Sequence, residues 1–353
     1  MTGPRAQIDL GAIVANWRML AARAPSAQTA AVVKADAYGL GAEHIARALA
    51  NAGCRRFYVA WPLEGAALRE ALGSDPEIAV FHGPTKATLP VFTGDRLSPV
   101  LNSLEQIQLW REAGASQPAA VQVDTGMNRL GLSETDWTEA ARLLDGSAIS
   151  HLVSHLACGD EPGHAMNALQ LAAFHRARPF WPSARRSLSA TAGVYLGPDY
   201  AMEEIRPGIG LYGGGPIPAS GAASLPVLRL TAPILQLRKA PEGATVGYGA
   251  SHATGRPTTI ATLGLGYADG FLRAASNNGY GVVCGEKRPI LGRVSMDLIT
   301  LDVTGLPVTV GDEVEFMGPA MTLGEQASAM STIDYELLTR LGRRATRSYV
   351  EAE

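Results

Sequence analysis

The chain has 353 residues, 46% hydrophobic and 18% charged, with a net charge of −3, enough for a sizeable core and for about two domains or one large barrel with an addition. It carries no basic stripe of the kind that binds nucleic acid, and no apolar run long enough to span a membrane. Its three cysteines, Cys54, Cys158 and Cys284, are isolated and odd in number, which argues against a disulfide or metal framework and for a reducing cytoplasm.

The opening segment from Met1 to Leu10 lacks the charged start and apolar core of a secretion signal, so none is expected. Ala6 to Asp9 reads as a strand. From about residue 10 to 215 helix-like and strand-like segments alternate. Apolar strand candidates lie near 29–34, 56–60, 78–82, 97–101, 119–124, 150–155, 186–190 and 203–206. Amphipathic runs lie between them, such as Leu10 to Ala24, Ala42 to Ala52, Pro62 to Leu72 and Ser103 to Ala113. Eight strands with a helix after most of them is the count for a (β/α)8 barrel, an α/β fold whose chemistry sits at the carboxyl ends of the strands. Lys34, Asp124, His155 and Arg206 all fall at such ends. The glycines and prolines of Gly213–Pro216 and Pro218–Gly221 read as a linker. Beyond it come short β-rich runs, Val227–Arg238, Thr258–Gly264, Gly281–Cys284, Leu291–Val303 and Asp312–Phe316, then a helical end from Ile333 to Leu341. The expected division is a barrel over 10–216 and an all-β domain over 222–353 that residues 1–9 complete.

Lys34 ends the apolar run Ala30-Ala31-Val32-Val33. Burying its ammonium is costly, so its pKa should fall, which suits a Schiff-base nucleophile or a base near neutral pH. Standing alone, such a lysine more commonly extends past the strand to water. His151 and His155 lie four apart, but on a strand and without a third ligand nearby, so no metal site is expected.

Five blocks occur in order: Ala31-Val32-Val33-Lys34-Ala35-Asp36-Ala37-Tyr38-Gly39-Leu40-Gly41, Val123-Asp124-Thr125-Gly126-Met127-Asn128-Arg129-Leu130-Gly131, Ile205-Arg206-Pro207-Gly208-Ile209-Gly210-Leu211-Tyr212-Gly213, Gly264-Leu265-Gly266-Tyr267-Ala268-Asp269-Gly270 and Gly292-Arg293-Val294-Ser295-Met296-Asp297. Together they resemble the alanine racemases, barrel-type pyridoxal-phosphate enzymes, from Ile8 to Tyr349. The resemblance implies a pyridoxal 5'-phosphate cofactor held covalently by Lys34, which then serves as one base. It implies that Tyr267 is the other base, on the opposite face, and that His155 bonds this tyrosine. Arg206 would face the pyridine nitrogen. Arginine keeps its protons to a pKa above about 12, so it would donate a hydrogen bond there without protonating the ring, which weakens the electron sink and favours fast reprotonation over transamination. Tyr38, Thr191 (where the family has a serine) and the N–H groups of Gly208 and Ile209 would hold the phosphate. Arg129 and Met296 would lie near the substrate carboxylate, with Asp297 a structural partner near the entrance. In the family, Tyr267 and Met296 reach the cofactor of the other subunit, so a homodimer with shared sites is implied.

Two positions depart from the family pattern. Many members carry a carbamylated lysine where this chain has Gln122; a direct bond from Gln122 to Arg129, or a bound anion, would replace that charge. Some carry a pocket tyrosine where Arg343 or Arg344 stands here. The reading is therefore an alanine racemase in the cytoplasm, supplying D-alanine for cell-wall synthesis or degrading alanine. The alternative is a racemase of wider specificity, acting on serine or basic amino acids; those are often exported. Decarboxylases of the same outline place an acidic residue opposite the ring nitrogen, against which Arg206 argues. A non-catalytic cofactor-binding barrel leaves Tyr267 and the β domain unexplained.

Overall fold

The computed structural model describes residues 3–215 and 223–351. These divide into two units. One holds Ile13–Leu211; the other is built from the described parts of 1–12, 212–214 and 225–353. Of the glycine- and proline-rich linker, Gly213–Gly215 is described, while Pro216 and Pro218–Gly221 lie outside the described residues.

In the first unit a seven-stranded parallel sheet runs Ala31–Val32, Arg56–Val59, Glu77–Val80, Ser98–Leu101, Ala119–Gln122, Ile149–Val153, Arg185–Ser187. Most of these strand residues are buried, as expected of strands covered by helices on one face and packed against one another on the other. The last strand, Glu204–Ile205, pairs in parallel with Gln28–Thr29, and Ala190 bridges Arg206. Ala30 N–H donates to Ile205 O and Val32 N–H to Pro207 O, both at 3.0 Å. These bonds close the sheet on itself as a barrel. The expected first strand at 29–34 is thus two pieces, because its Gln28–Thr29 half follows the last strand and its Ala31–Val32 half follows the second.

The helices fall within a residue of their expected bounds: Leu10–Arg23, Ala42–Asn51, Pro62–Leu72 and Leu104–Glu112. Local chemistry explains the starts. Ser103 Oγ accepts Gln106 N–H at 3.3 Å as an N-cap, and Pro62 occupies the first turn, where its missing N–H costs nothing. Ile45, Ala46 and Leu49 form the buried stripe of the second helix.

Inside the barrel lies a polar cluster that no motif announced. Tyr58 OH donates to Glu204 Oε1 at 2.6 Å and accepts from Arg56 Nε at 3.0 Å. Arg56 Nε lies 3.4 Å and His151 Nε2 3.3 Å from Glu204 Oε2. Arg56 also pairs with Glu77. Glu204 and Tyr58 are 0% exposed and Arg56 1%. Arg56 and Tyr58 share one strand and Glu77 lies on its paired neighbour, but His151 and Glu204 come from strands that do not pair with it. Burial pushes the Glu204 carboxyl up, but Arg56, His151 and Tyr58 outweigh it and hold it at about 2.

The second unit is built on a mixed sheet in the order Glu286–Pro289, Tyr280–Val283, Glu313–Met317, Leu228–Ala240, Arg5–Asp9, Thr346–Val350, with Thr258–Leu263 pairing both Leu228–Ala240 and Ile299–Asp302. Arg5–Asp9 runs antiparallel to Leu228–Ala240 and parallel to Thr346–Val350. The run expected as a strand over Leu291–Val303 is strand only at Ile299–Asp302; the preceding residues form a loop with Gly292 at φ +74. The helical end expected over Ile333–Leu341 is the helix Asp334–Thr339, and a further helix that was not expected, Leu323–Ala329, precedes it.

Replacing Glu204 by Gln leaves Arg56 buried with less compensation. Breaking a buried pair in this way costs about 3–5 kcal/mol, so the Glu204→Gln variant should melt several degrees lower at pH 7. The carboxyl titrates near 2 in the fold against an ordinary 4.5. Its contribution is therefore full above the ordinary value and disappears as pH falls toward 2. Melting temperatures of the two proteins should converge in that window, and an unchanged gap down to pH 3 would contradict the assignment.

Candidate functional site

Beyond Val32 the chain does not enter a right-handed helix. Ala35, Asp36, Ala37 and Tyr38 have φ of 54, 54, 52 and 58 with ψ of 47, 48, 52 and 35, a full left-handed turn. L-residues pay about 1–2 kcal/mol each for this conformation, so the turn persists only where its surroundings over-determine it. Ala37 N–H bonds Val33 O and Gly41 N–H bonds Asp36 O, each at 2.9 Å. Asp36 Oδ1 accepts Ala42 N–H at 2.7 Å, joining the turn to the next helix. Glu64 Oε1 accepts Ala35 N–H at 2.7 Å, while its Oε2 accepts Ala60 and Trp61 N–H at 2.8 and 3.0 Å. The turn sets Lys34 and Tyr38 at the carboxyl end of the first strand, and Lys34 Nζ lies 5.8 Å from the centre of the Phe81 ring. Burial, then the charge of Arg129, lowers the Lys34 pKa, and Glu64 opposes them.

The last strand delivers the next group of residues beside it. Arg206, 2% exposed, donates from Nη1 to Ser187 Oγ and from Nη2 to Ser154 O at 2.6 Å. Burial lowers its pKa, and Tyr58 and Glu204 raise it. Thr191 Oγ1 accepts the N–H groups of both Gly208 and Gly210 at 3.1 Å. A Cβ on Gly208 would lie 2.3 Å from the Tyr38 hydroxyl, so the approach of Tyr38 to the chain at that point requires glycine. Tyr38, Thr191, Gly208 and the short helical turn Ile209–Tyr212 thus gather at one place.

His155 lies two residues past the strand Ile149–Val153. Burial, and then the positive charges of Arg206, Arg129 and Lys34, push its pKa down to about 3, so it is a neutral imidazole near pH 7. Lys34, Arg129 and Arg206 thus all lie near enough to His155 for their charges to act on it. Gln170, 0% exposed, ties this region together: its Nε2 donates to Thr125 Oγ1 at 3.1 Å and His155 O at 2.9 Å, and its Oε1 accepts Ala157 N–H at 2.7 Å.

Asp124, singled out as a strand-end carboxylate, is used locally. Its Oδ1 accepts the N–H groups of Gly126 and Met127 at 2.8 and 2.9 Å, folding the loop that presents Arg129. The direct bond from Gln122 to Arg129 that the sequence suggested, as one of two replacements for the missing charge, is not formed. Its Nε2 donates 3.1 Å to Leu130 O, so an amide fixes the loop backbone one residue away.

In the second unit, Tyr267 and Met296 sit side by side on two loops. Tyr267 N–H donates to Ser295 O and Ala268 N–H to Met296 O, both at 3.0 Å. Gly266 permits this, since a Cβ there would meet Met296 O at 2.3 Å. Both side chains are open, 44% for Tyr267 and 53% for Met296. Asp269 Oδ2 accepts Gly266 N–H at 2.8 Å. Arg344 then spans the loops, bonding Asp269 at 2.8 and 3.0 Å and Asp297 Oδ1 at 2.7 Å. The segment where a pocket tyrosine was missed therefore carries a guanidinium clasp.

Sequence reading passed over Glu64, Ser187 and Gln170, and it marked Arg344 only as a departure, not as a clasp. Only Glu64 carried a local signal, a glutamate three residues after Trp61 with Pro62 between, the pattern of a helix start. The others act across long sequence separations.

The chain matches the family model described as alanine racemase, N-terminal domain, over residues 8–216 and that described as alanine racemase, C-terminal domain, over 227–349. It is 47% identical to the catabolic alanine racemase of Agrobacterium fabrum, over 98% of this chain and 91% of that one. It is 48% identical to the alanine racemase of Dinoroseobacter shibae, over 97% of each. Its structure is similar to a crystal structure of alanine racemase from Bartonella henselae with covalently bound pyridoxal phosphate, with a TM-score of 0.94, 38% identity and coverage of 99% of this chain and 100% of that one. Two domain models matched in order, and relatives of this identity over nearly the whole length, carry the conclusion that the chain belongs to the alanine racemase family.

Proposed function

We propose that this protein interconverts L-alanine and D-alanine with pyridoxal 5'-phosphate as cofactor. The observation that carries the reading is a desolvated lysine after the first strand and a buried arginine after the last, both acting on the same histidine.

The residues present fit that cofactor. The Tyr38 hydroxyl beside Gly208, and the Thr191 hydroxyl, which accepts the Gly208 and Gly210 N–H groups and so keeps its own proton to donate elsewhere, gather polar groups where a phosphate would sit. Tyr38, Thr191, Gly208 and Ile209 would hold it. Bound at Lys34, pyridoxal phosphate supplies the electron sink that makes the α-proton of an amino acid removable. Arg206 would face the ring nitrogen; held by Ser187 and Ser154, it offers a hydrogen bond and keeps its own proton. Lys34 Nζ takes or returns the α-proton on one face, aided by the lowered affinity of its amine for a proton. The Tyr267 hydroxyl does so on the other face. His155, neutral, serves it as a hydrogen-bond partner, and Arg129 and the Met296 N–H receive the substrate carboxylate.

We place these two sets of residues in different subunits of a homodimer: Lys34 of one chain works with Tyr267 of the partner subunit. The exposed group Tyr248, Tyr267, Met296 and Leu298 in the second unit supports this. The three free cysteines agree with a cytoplasmic site of action. A wider specificity for serine or basic amino acids is less favoured, since the similar relatives are alanine racemases by name.

Cofactor-loaded protein incubated separately with L-alanine, L-serine and L-arginine should give D-alanine at close to equal amounts of both isomers, and little of the others, by chiral chromatography. Comparable conversion of all three would establish the wider reading. No D-isomer from any, with the cofactor bound, would overturn both. Lys34→Ala should abolish conversion, and Tyr267→Phe should lower kcat about 10²–10⁴-fold, the usual worth of a positioned acid–base group. Dilution below the dimer dissociation constant should remove activity, followed by sedimentation and rate in the same buffer; full specific activity in a monomer would refute the shared site. Arg344→Met should lower the melting temperature, because buried Asp269 loses its partner, and should reduce kcat at least tenfold in the protein that remains folded, because the loops bearing Tyr267 and Met296 lose their clasp; a folded variant with wild-type kcat would limit Arg344 to a stabilising ion pair.

A further inference from the structure

Glu64 lies outside the sequence blocks that resemble the family and has no part in the roles assigned above. It is nevertheless the acidic side chain bonded to the turn that follows Lys34. Its carboxylate reaches out from the first turn of the helix Pro62–Leu72. One oxygen takes the N–H of Ala35, the first residue of the left-handed turn, and the other takes the N–H groups of Ala60 and Trp61 at the end of the second strand. A single side chain therefore pins the strained turn to the neighbouring βα unit.

Two facts give this a functional edge. The bond falls on the residue directly after Lys34, so its loss acts on the backbone that aims Nζ. Glu64 is also an anion whose field reaches both Lys34 and His82. Geometry and field act in the same place.

We propose that Glu64 is a positioning residue for Lys34: its carboxylate holds the left-handed turn in register with the second strand and, through that turn, sets where the Lys34 amine points. The proposal rests on Lys34 as the cofactor-bearing amine, the reading given above. Glutamine at 64 keeps one acceptor oxygen but sets an NH2 group against a backbone N–H, and removes the charge. Aspartate keeps the charge but falls one methylene short. Glycine at 35 lowers the cost of the left-handed conformation by itself.

The test uses the full-length protein freed of cofactor and reloaded with pyridoxal phosphate, followed by visible absorption across pH, with kcat and KM for alanine measured on the loaded forms. In Glu64→Gln the pH profile of loading should move to lower pH, because the anion that raises the proton affinity of Lys34 is gone. Its kcat should fall at least tenfold with KM within threefold of wild type. Adding Ala35→Gly to Glu64→Gln should recover part of kcat. Glu64→Asp should keep the wild-type loading profile and still lose kcat. If Glu64→Gln is poorly folded, Glu64→Asp decides by kcat per bound cofactor.

Wild-type kcat and loading profile in a folded Glu64→Gln overturn the proposal, as does wild-type kcat per bound cofactor in Glu64→Asp. Wild-type protein assayed alongside keeps the two questions apart. If it takes up the cofactor but racemises nothing, the racemase reading fails, while the shift in loading profile still reports on Glu64 and Lys34.

Discussion

The parallel pairing of the first barrel strand with the last is the contact on which the rest of the site depends. Ala30 and Val32 donate to Ile205 and Pro207, and Ala190 bridges Arg206. These bonds set Val32 beside Pro207 and Gly208, so Lys34, two residues past Val32, leaves the first strand at the end where Gly208 leaves the last. Residues far apart along the chain thereby share one carboxyl-terminal face. Tyr38 then meets Gly208 so closely that glycine is required, and the two N–H groups after the last strand converge on Thr191. Without this closure the left-handed turn would have no counterpart, and its strain would serve nothing.

Closure also concentrates positive charge. Lys34, Arg129 and Arg206 together depress His155 to about 3 after burial has already lowered it. Such a basin suits an anionic phosphate and carboxylate, but cations near a dry interior are costly. The fold offsets that cost with carboxylates placed behind the working face. Glu204 lies on the same strand as Arg206 and raises its proton affinity, while Glu64 does the same for Lys34. Neither carboxylate takes the place of Ser187 and Ser154 as the direct partners of Arg206.

Much of this architecture could be read from residue pattern alone, and the reason is periodicity. Barrel strands buried on both faces appear as short apolar runs, and the surrounding helices as amphipathic ones, so most elements were placed to within a residue or two. The same reading erred where backbone geometry departs from regular structure. Ala35 to Tyr38 carry no glycine to announce a left-handed turn, and Leu291 to Val303 looks continuous although a glycine with positive φ breaks it. The polar interior of Arg56, Tyr58, His151 and Glu204 was invisible for a different reason. Each of these residues is unremarkable in its own strand; Arg56 and Tyr58 meet along one strand, and the fold brings His151 and Glu204 to them from others far along the chain.

The two departures from the family pattern show how such a site tolerates change. At Gln122 a charge that would act on Arg129 through space is replaced by an amide bonded to Leu130 O, so support of the arginine passes from its guanidinium to its backbone. At the C-terminal end a missing aromatic is accompanied by Arg344, bonded to both Asp269 and Asp297, which stabilises the loops bearing Tyr267 and Met296 from behind. In both places what persists is restraint on the loop rather than the identity of the group at its tip. Glu64 acts on the Lys34 turn in the same manner. A backbone held from behind leaves the front of the site free for substrate, and a restraint of that kind can be met by several side chains, which is why sequence motifs that mark the front residues leave the supporting ones unmarked.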